Sequence, residues 1–263
     1  MRKVFFLLLP VFLFMLTVTS CSSDNDGPNV VLLSKVTGVS LGQQSVHTFS
    51  YNGTKLTKVA FEIEAQTDGS GYDKYFYTGD LISQIKRFNA LNQNTTTTVF
   101  TYDVNKRLTQ VVKVEPSLNY GFRTVYAYNS DGSVTATGFS GTVDAQNTIS
   151  DTSEKFYFQN GEVSQKDFFS NSFSSSVIYS YDTANHPMRN VTGLDAIKLY
   201  AFIANGLFGY EHNMIQQNTY LTSGVMDSQV AFTVNYNSNN YPVEMFSTMG
   251  SNGSYQYSFQ YFK

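Results

Sequence analysis

The sequence predicts an all-β protein, a large antiparallel meander of about fifteen strands that curves strongly or closes into a barrel, with one short buried helix near 193–208. Three features lead to that reading. Aromatic side chains occupy every second position of short runs, with Ser, Thr or Gln between them, so each strand has one apolar and one wet face. The runs stop at turns rich in Asn, Asp and Gly, residues that tolerate positive φ or bond the backbone two positions on. The connections are too short for the crossover helices of a parallel sheet.

Composition narrows the function classes. Of 263 residues, 19 are Tyr and 22 Phe, Trp is absent, and charged residues make up 14%. That apolar and aromatic content excludes disorder for most of the chain. A net charge of −3 lacks the basic excess that a phosphate backbone requires, which argues against nucleic acid as a partner. With a single cysteine there is neither an intrachain disulfide framework nor a multi-cysteine metal site.

The N-terminus reads as an address. Met1-Arg2-Lys3 is a positive n-region, and Val4 to Val18 is an apolar run interrupted only by Pro10 and Thr17, too short to span a membrane and suited to a signal peptide. Leu16-Thr17-Val18-Thr19-Ser20-Cys21 resembles the lipobox of bacterial lipoproteins. The resemblance implies a signal peptide over 1–20 and lipidation at Cys21, a diacylglyceryl group on the sulfur and a third acyl chain, palmitate-like, on the new amino group. At about 0.8 kcal/mol per buried CH₂, three chains anchor a protein almost irreversibly. Residues 21–34 read as a flexible acidic tether, and 35–263 as a single antiparallel β domain. Ser22-Ser23-Asp24-Asn25-Asp26 is similar to the acidic export signal that sends some Gram-negative lipoproteins to the outer face of the outer membrane; the alternative is a periplasm-facing protein.

From His47 onward one unit recurs: an aromatic-alternating run, a short turn, and a run opened by Leu, Val or Pro. The copies are His47 to Tyr51 turning at Asn52-Gly53 into Leu56, Tyr75 to Tyr77 turning at Thr78 to Asp80 into Leu81, and Phe100 to Tyr102 turning at Asp103 to Arg107 into Leu108. Next are Tyr126 to Tyr128 turning into Val134, Phe156 to Phe158 turning at Asn160-Gly161 into Val163, and Tyr179 to Tyr181 turning at Asp182 to His186 into Pro187. Phe232 to Tyr236 turns at Asn237 to Tyr241 into Pro242, and Tyr255 to Tyr261 closes the chain as a lone strand.

Tyr102-Asp103 followed by Leu108-Thr109 is similar to the YD repeat of bacterial cell-surface proteins. Together with the lipobox, the acidic tether and the helical insert, this makes roughly residues 47–262 resemble an uncharacterised family of surface lipoproteins with a porin-like β fold. The resemblance implies a fold and an address, and brings no activity or functional residues with it.

Between Val191 and Leu221 the alternation stops. Ile197, Tyr200, Ala201, Ala204 and Phe208 follow the spacing of a helix face, Thr192 and Asp195 form a capping-box-like start, and Asn205-Gly206 supplies a stop. With few polar residues, this helix is expected to pack on the aromatic sheet face, plugging the lumen or capping one mouth. Closure of the sheet also removes its edges.

Chemical signatures are scarce. His47, His186 and His212 show no metal-ligand spacing, Gly138-Phe139-Ser140-Gly141 is no nucleophile elbow, and Asn129 to Gly132 begins like a calcium loop but has Ser140 where the bidentate Glu belongs. Glu62 and Glu64 share a strand face in the manner of paired carboxylates, and read as the solvated side of a strand whose other face carries Phe61 and Ile63. No cofactor or metal is expected, and no enzyme. Tyrosine, apolar on its face and polar at its tip, is the residue most suited to line a pocket. The candidate ligand-binding residues are Tyr75, Tyr77, Tyr126, Tyr128, Tyr179, Tyr181, Tyr200 and Phe208.

The leading expectation is a surface-anchored, non-catalytic module that binds an apolar or amphipathic, lipid-like ligand between the curved sheet and the helix. The alternative is a structural or interaction protein with a solid core that contacts protein or a glycan. The third is an outer-membrane channel, against which stand Lys58, Lys86, Arg87, Lys113 and Glu244 in the return strands.

Overall fold

The structure, a computed structural model, describes residues 30–40, 42–64, 66, 69–200, 211–248 and 254–262. Cys21, the signal peptide, most of the tether, and the helix residues Ala201, Ala204, Gly206 and Phe208 lie outside the described residues.

Sixteen strands follow one another around a closed antiparallel barrel. They are β1 (Leu33–Ser40), β2 (Gln43–Asn52), β3 (Lys55–Ile63), β4 (Gly71–Thr78), β5 (Leu81–Asn89), β6 (Asn94–Tyr102), β7 (Leu108–Glu115) and β8 (Tyr120–Tyr128). The second half comprises β9 (Val134–Gly141), β10 (Thr148–Gln159), β11 (Glu162–Phe169), β12 (Ser174–Tyr181), β13 (Met214–Leu221), β14 (Met226–Tyr236), β15 (Pro242–Thr248) and β16 (Ser254–Tyr261). Each strand pairs with its sequence neighbour, and β1 pairs with β16 to close the ring. The sequence pattern missed β1, because its Val and Thr alternation lacks aromatics; it begins at Leu33, two residues inside the segment read as tether.

The period-two pattern decides which side of the wall each residue takes. Tyr75, Phe100, Tyr126, Phe156, Tyr179, Phe232 and Phe259 face inward. The outer wall carries their polar alternates, among them Thr97, Thr101, Ser176, Gln216, Asn218 and Gln256. The outward parity also carries apolar residues, among them Phe76, Val99 and Ile178, so the outer wall is mixed, while the inward parity gathers most of the buried apolar side chains.

Every short turn of the repeat lies at one end of the barrel, here the turn end, and the connections 90–93, 116–119, 142–147, 170–173 and 222–225 lie at the other, the loop end. The repeat has a structural rule at the turn end. Just inside the turn, the return strand holds one extra residue, a β-bulge at Thr57, Ser83, Thr109 and Ser164. Each of these hydroxyls donates back across the hairpin, to the carbonyls of Ser50 (3.0 Å), Phe76 (3.3 Å), Thr101 (3.1 Å) and Tyr157 (3.3 Å). That explains Leu-Thr and its Ile-Ser and Val-Ser equivalents: the apolar residue is buried and the hydroxyl residue stabilises the bulge. A second bond ties successive hairpins together. Tyr102, Tyr128, Tyr181 and Tyr261 donate their hydroxyls to the carbonyls of Ile82 (2.6 Å), Leu108 (3.1 Å), Val163 (2.9 Å) and Pro242 (2.7 Å), each on the preceding hairpin. In the second repeat the buried opener is thus Ile82 rather than Leu81.

The sequence reading erred at Pro187, where a return strand was expected. The partner of β12 is β13, and residues 182–213 form an insertion inside the hairpin turn. Asp182 and Asn213 close the turn as Asp103 and Arg107 close theirs: Asp182 N–H donates to the Asn213 carbonyl at 3.0 Å, and the Asp182 carboxylate accepts from the backbone N–H groups of Ala184 and Asn213. The repeat continues on either side because the insertion leaves strand register intact.

The described part of the insertion plugs the turn end. Met188 and Val191 pack with Leu33, Phe49, Leu56 and Val59; Ile197 and Leu199 pack with Ile82, Phe100, Val134, Phe156 and Val163. Asp195–Ile197 is a 3₁₀ turn that continues as helix through 200, with Leu194 rather than Thr192 at its N-cap and no side-chain cap. The Thr192 hydroxyl instead pairs with that of Thr54 at 2.6 Å, and Thr192 N–H donates to the Thr54 carbonyl, tying the plug to the first turn. Gly193 has φ +77° and would place a Cβ 2.4 Å from the Asp80 carbonyl oxygen, so only glycine allows this close seating on the second hairpin.

Candidate functional site

The lumen holds a cavity of about 370 Å³ that adjoins both clusters of buried apolar residues, with Leu33, Phe49, Leu56 and Met188 of one and Ile197 and Met214 of the other in its lining. Its volume is near the lower end of the ~300–1,000 Å³ typical of ligand pockets. Its wall is mainly apolar, formed by inward residues of β1 to β5 and β14 to β16 such as Val36, Phe61, Ile63, Met245 and Phe259, with Leu194, Ile197 and Tyr200 of the plug as part of its lining.

A charged group interrupts this wall on β4 and β5, and His186 and Asn213 of the insertion add further polar members. Asp73 on β4 and Arg87 on β5 are register partners, and the guanidinium grips the carboxylate with two parallel bonds of 2.8 Å from Nε and Nη2. The Arg87 guanidinium lies 5.1 Å from the centre of the Phe61 ring, a cation–π contact that helps fix its plane. Its side chain is 54% exposed toward the loop end, whereas Asp73 is 14% exposed, so the pair presents its cationic side to the open lumen. The Asp73 bond holds the Arg87 guanidinium above its ordinary pKa. His47 on β2 lines the same cavity; burial pushes its imidazole below the usual range, Asp73 draws it back up and Arg87 pushes it further down.

Further polar pairs face the lumen in the loop half. Register places Lys113 opposite Thr98, and Glu154 opposite Ala136, both on the inward parity; Lys113 pairs with Glu115 at 2.8 Å and Lys166 with Glu154 at 2.9 Å. Positive and negative charges match in each of these pairs, as they do between Arg87 and Asp73.

Of the candidate ligand-binding residues, the structure brings Tyr75 and Tyr200 to the cavity wall. Tyr200 packs edge-on against Phe100, ring centres 5.1 Å apart. Tyr77, Tyr126, Tyr179 and Tyr181 belong to or pack on the larger core cluster, and Tyr128 sits at the turn end with Arg107 4.4 Å from its ring centre. Burial raises the Tyr77 hydroxyl to about 12 and lifts those of Tyr75 and Tyr126 further, so all stay protonated at neutral pH. Phe208 lies outside the described residues. The sequence reading missed Asp73, Arg87 and His47 as a group. A signal was present: Asp73 shares strand parity with Tyr75 and Tyr77, and a charge on an otherwise apolar parity marks a polar position in a core.

Other candidates fall where a solvated role places them. Glu62 and Glu64 are exposed while Phe61 and Ile63 line the cavity. Asn129 to Ser133 is a hairpin turn in which the Asp131 carboxylate accepts from Ser133 and pairs with Lys155 at 3.1 Å. Among the described residues no group of three or more His, Cys, Asp or Glu side chains could hold a metal ion. The buried carboxylate of Glu162 accepts from the backbone N–H groups of Glu211 and His212, fastening the end of the insertion.

The fold and its lumen define the class, a closed sixteen-stranded antiparallel barrel protein with a largely apolar interior. The chain is similar in structure to a porin-like protein from Bacteroides vulgatus ATCC 8482, at 14% identity and TM-score 0.58, covering 89% of this chain and 99% of that one. It is also similar to a porin-like protein from Bacteroides uniformis ATCC 8492, at 10% identity and TM-score 0.53, covering 88% and 98%. The likeness is one of fold. No family model and no curated protein matches the chain.

Proposed function

We propose that the protein is a non-catalytic lipoprotein of the outer membrane, anchored through Cys21 and exposed at the cell surface, whose barrel binds an apolar or amphipathic, lipid-like molecule in its lumen. The single observation that carries this reading is the cavity of about 370 Å³ that the described residues leave beside the plug, walled mainly by inward aromatic and aliphatic residues. A largely apolar space of that size lacks packing partners that the tail of a lipid-like guest would supply. The lipobox and acidic tether support the address, and the fold of the porin-like neighbours agrees with an outer-membrane setting.

The channel reading has less support, although those neighbours are described as porin-like. The outward face mixes Phe76, Val99 and Ile178 with Thr, Ser, Gln and Asn and with the charged Lys58 and Lys86, and these polar and charged members are costly against lipid. The surface-interaction reading draws on one outer patch, where Tyr72 and Phe88 stack at 5.0 Å with Lys58 4.4 Å from the centre of the Tyr72 ring.

The test uses the chain with residues 1–20 replaced by an ordinary cleavable secretory leader and with Cys21→Ser, so that neither the apolar leader nor the acylation acceptor remains. This variant should leave the membrane fraction, and it should bind the uncharged dye Nile red saturably, one per barrel. Val36→Trp, which projects a large ring into the cavity, should abolish the dye signal with the fold retained by circular dichroism. Absence of saturable binding, or binding untouched by Val36→Trp, overturns the lumen reading; retention of Cys21→Ser in the membrane overturns the lipid anchor.

A further inference from the structure

We infer that the polar group formed by Asp73, Arg87 and His47 selects amphipaths with an uncharged, hydrogen-bonding head over those ending in a carboxylate or an ammonium. This rests on the lumen-binding reading and specifies the chemistry of the guest.

The argument is one of charge and of spare hydrogen-bonding capacity. Arg87 uses Nε and Nη2 on Asp73, and both carboxylate oxygens of Asp73 are engaged at 2.8 Å. The pair is neutral as a unit and held rigid by its two bonds and by the Phe61 face at 5.1 Å. Of the five N–H groups of a guanidinium, three remain to donate, and a carboxylate holding two bonds keeps lone pairs to accept. A hydroxyl, ester or amide head can use both. A charged head gains no countercharge. A carboxylate brought to Arg87 meets Asp73 beside it, an ammonium brought to Asp73 meets Arg87, and each loses its hydration on entering an apolar cavity.

The surroundings add no compensating charge. Ser45 on β2, Tyr75 on β4 and Tyr200 of the plug contribute hydroxyls to the cavity wall, and the remaining lining is mostly apolar. The other lumen-facing ion pairs, Lys113 with Glu115 and Lys166 with Glu154, are already matched. His47, held below its ordinary pKa by burial, remains neutral at neutral pH and carries one donor and one acceptor nitrogen. The site thus resembles a neutral polar ring set in an oily wall, with the apolar volume below it suited to an acyl tail.

The experiment compares three amphipaths with the same tail, monolaurin, laurate and laurylamine, by calorimetric titration into the same leader-processed Cys21→Ser protein at neutral pH, below their micellar concentrations. Monolaurin should bind at least about tenfold more tightly than either charged ligand. In Asp73→Asn, which leaves the guanidinium without its counterion, the preference should swing toward laurate by about tenfold or more. Equal or tighter binding of laurate or laurylamine by the unmodified site overturns the inference and leaves the lumen reading intact. An unchanged preference in a folded Asp73→Asn protein also overturns it, since the head would then lie elsewhere. Should that variant not fold, the three-ligand comparison decides alone. If none of the three ligands nor Nile red binds, the inference and the lumen reading fall together.

Discussion

The two halves of the barrel are made of the same sixteen strands, yet their inward faces carry different loads. At the turn end the faces bring Ile82, Leu108, Val134, Phe156 and Val163 together with Ile197 and Leu199 of the insertion, all nearly or completely buried. Toward the loop end they bring Asp73 with Arg87 at the wall of a cavity, and Lys113 with Glu115 and Glu154 with Lys166 elsewhere on the inward face. A closed barrel of this many strands encloses more space than its own side chains fill. The described part of the insertion packs into the turn end, leaving a packed end that supplies stability and, among the described residues, a cavity beside it.

This contrast can be broken most directly by truncation. Phe156→Ala, at a position with 0% exposure inside the larger cluster, should cost about 3–5 kcal/mol, because the neighbours cannot collapse into the void. Phe61→Ala borders space that is already empty and should cost about 1 kcal/mol. Urea denaturation of the two variants measures the difference, and equal costs would mean that the halves are packed alike.

The tyrosine bonds between hairpins sharpen the contrast within the packed half. Tyr102→Phe removes the hydroxyl that bonds the Ile82 carbonyl and should cost about 1 kcal/mol. The Tyr126 hydroxyl is buried without a partner among the described residues, so Tyr126→Phe should stay within about 0.5 kcal/mol of the parent or stabilise it. Reversed outcomes would show that the hairpin-to-hairpin bonds do not hold the turn end together.

The smallest effect is expected from pH at the open half. Because burial lowers the His47 pKa below 6.5, the unfolded chain takes up the proton more readily than the folded one. Its contribution to stability is therefore complete above the ordinary histidine value and declines as the pH falls from there toward the lowered folded value. His47→Phe should flatten the difference in denaturation midpoint between neutral and mildly acidic buffer. An identical pH dependence in this variant would place the imidazole in water.

Much of the turn end was legible in the repeats. The turn positions, the inward parity of Tyr75, Tyr126 and Tyr179, and the burial of the openers Leu56, Leu108 and Val163 follow from alternation and turn chemistry, which act over a few residues. The insertion was half legible. Its helix-like spacing pointed to Ile197 and Tyr200, whereas the pairing of Asp182 with Asn213 joins residues far apart in sequence that no local pattern connects. The strand Leu33–Ser40 escaped because it carries Val and Thr in place of aromatics.

The sequence by itself determined that the chain forms antiparallel hairpins with one oily face, since a period of two and a positive φ at the turns are properties of neighbouring residues. Only the tertiary structure decided that the ribbon closes at sixteen strands and turns its oily face inward. It also decided that the insertion fills one end and that Asp73, Arg87 and His47 share one wall. Those outcomes depend on how much space a closed ring encloses and how much apolar volume is available to fill it, quantities set by the whole chain at once.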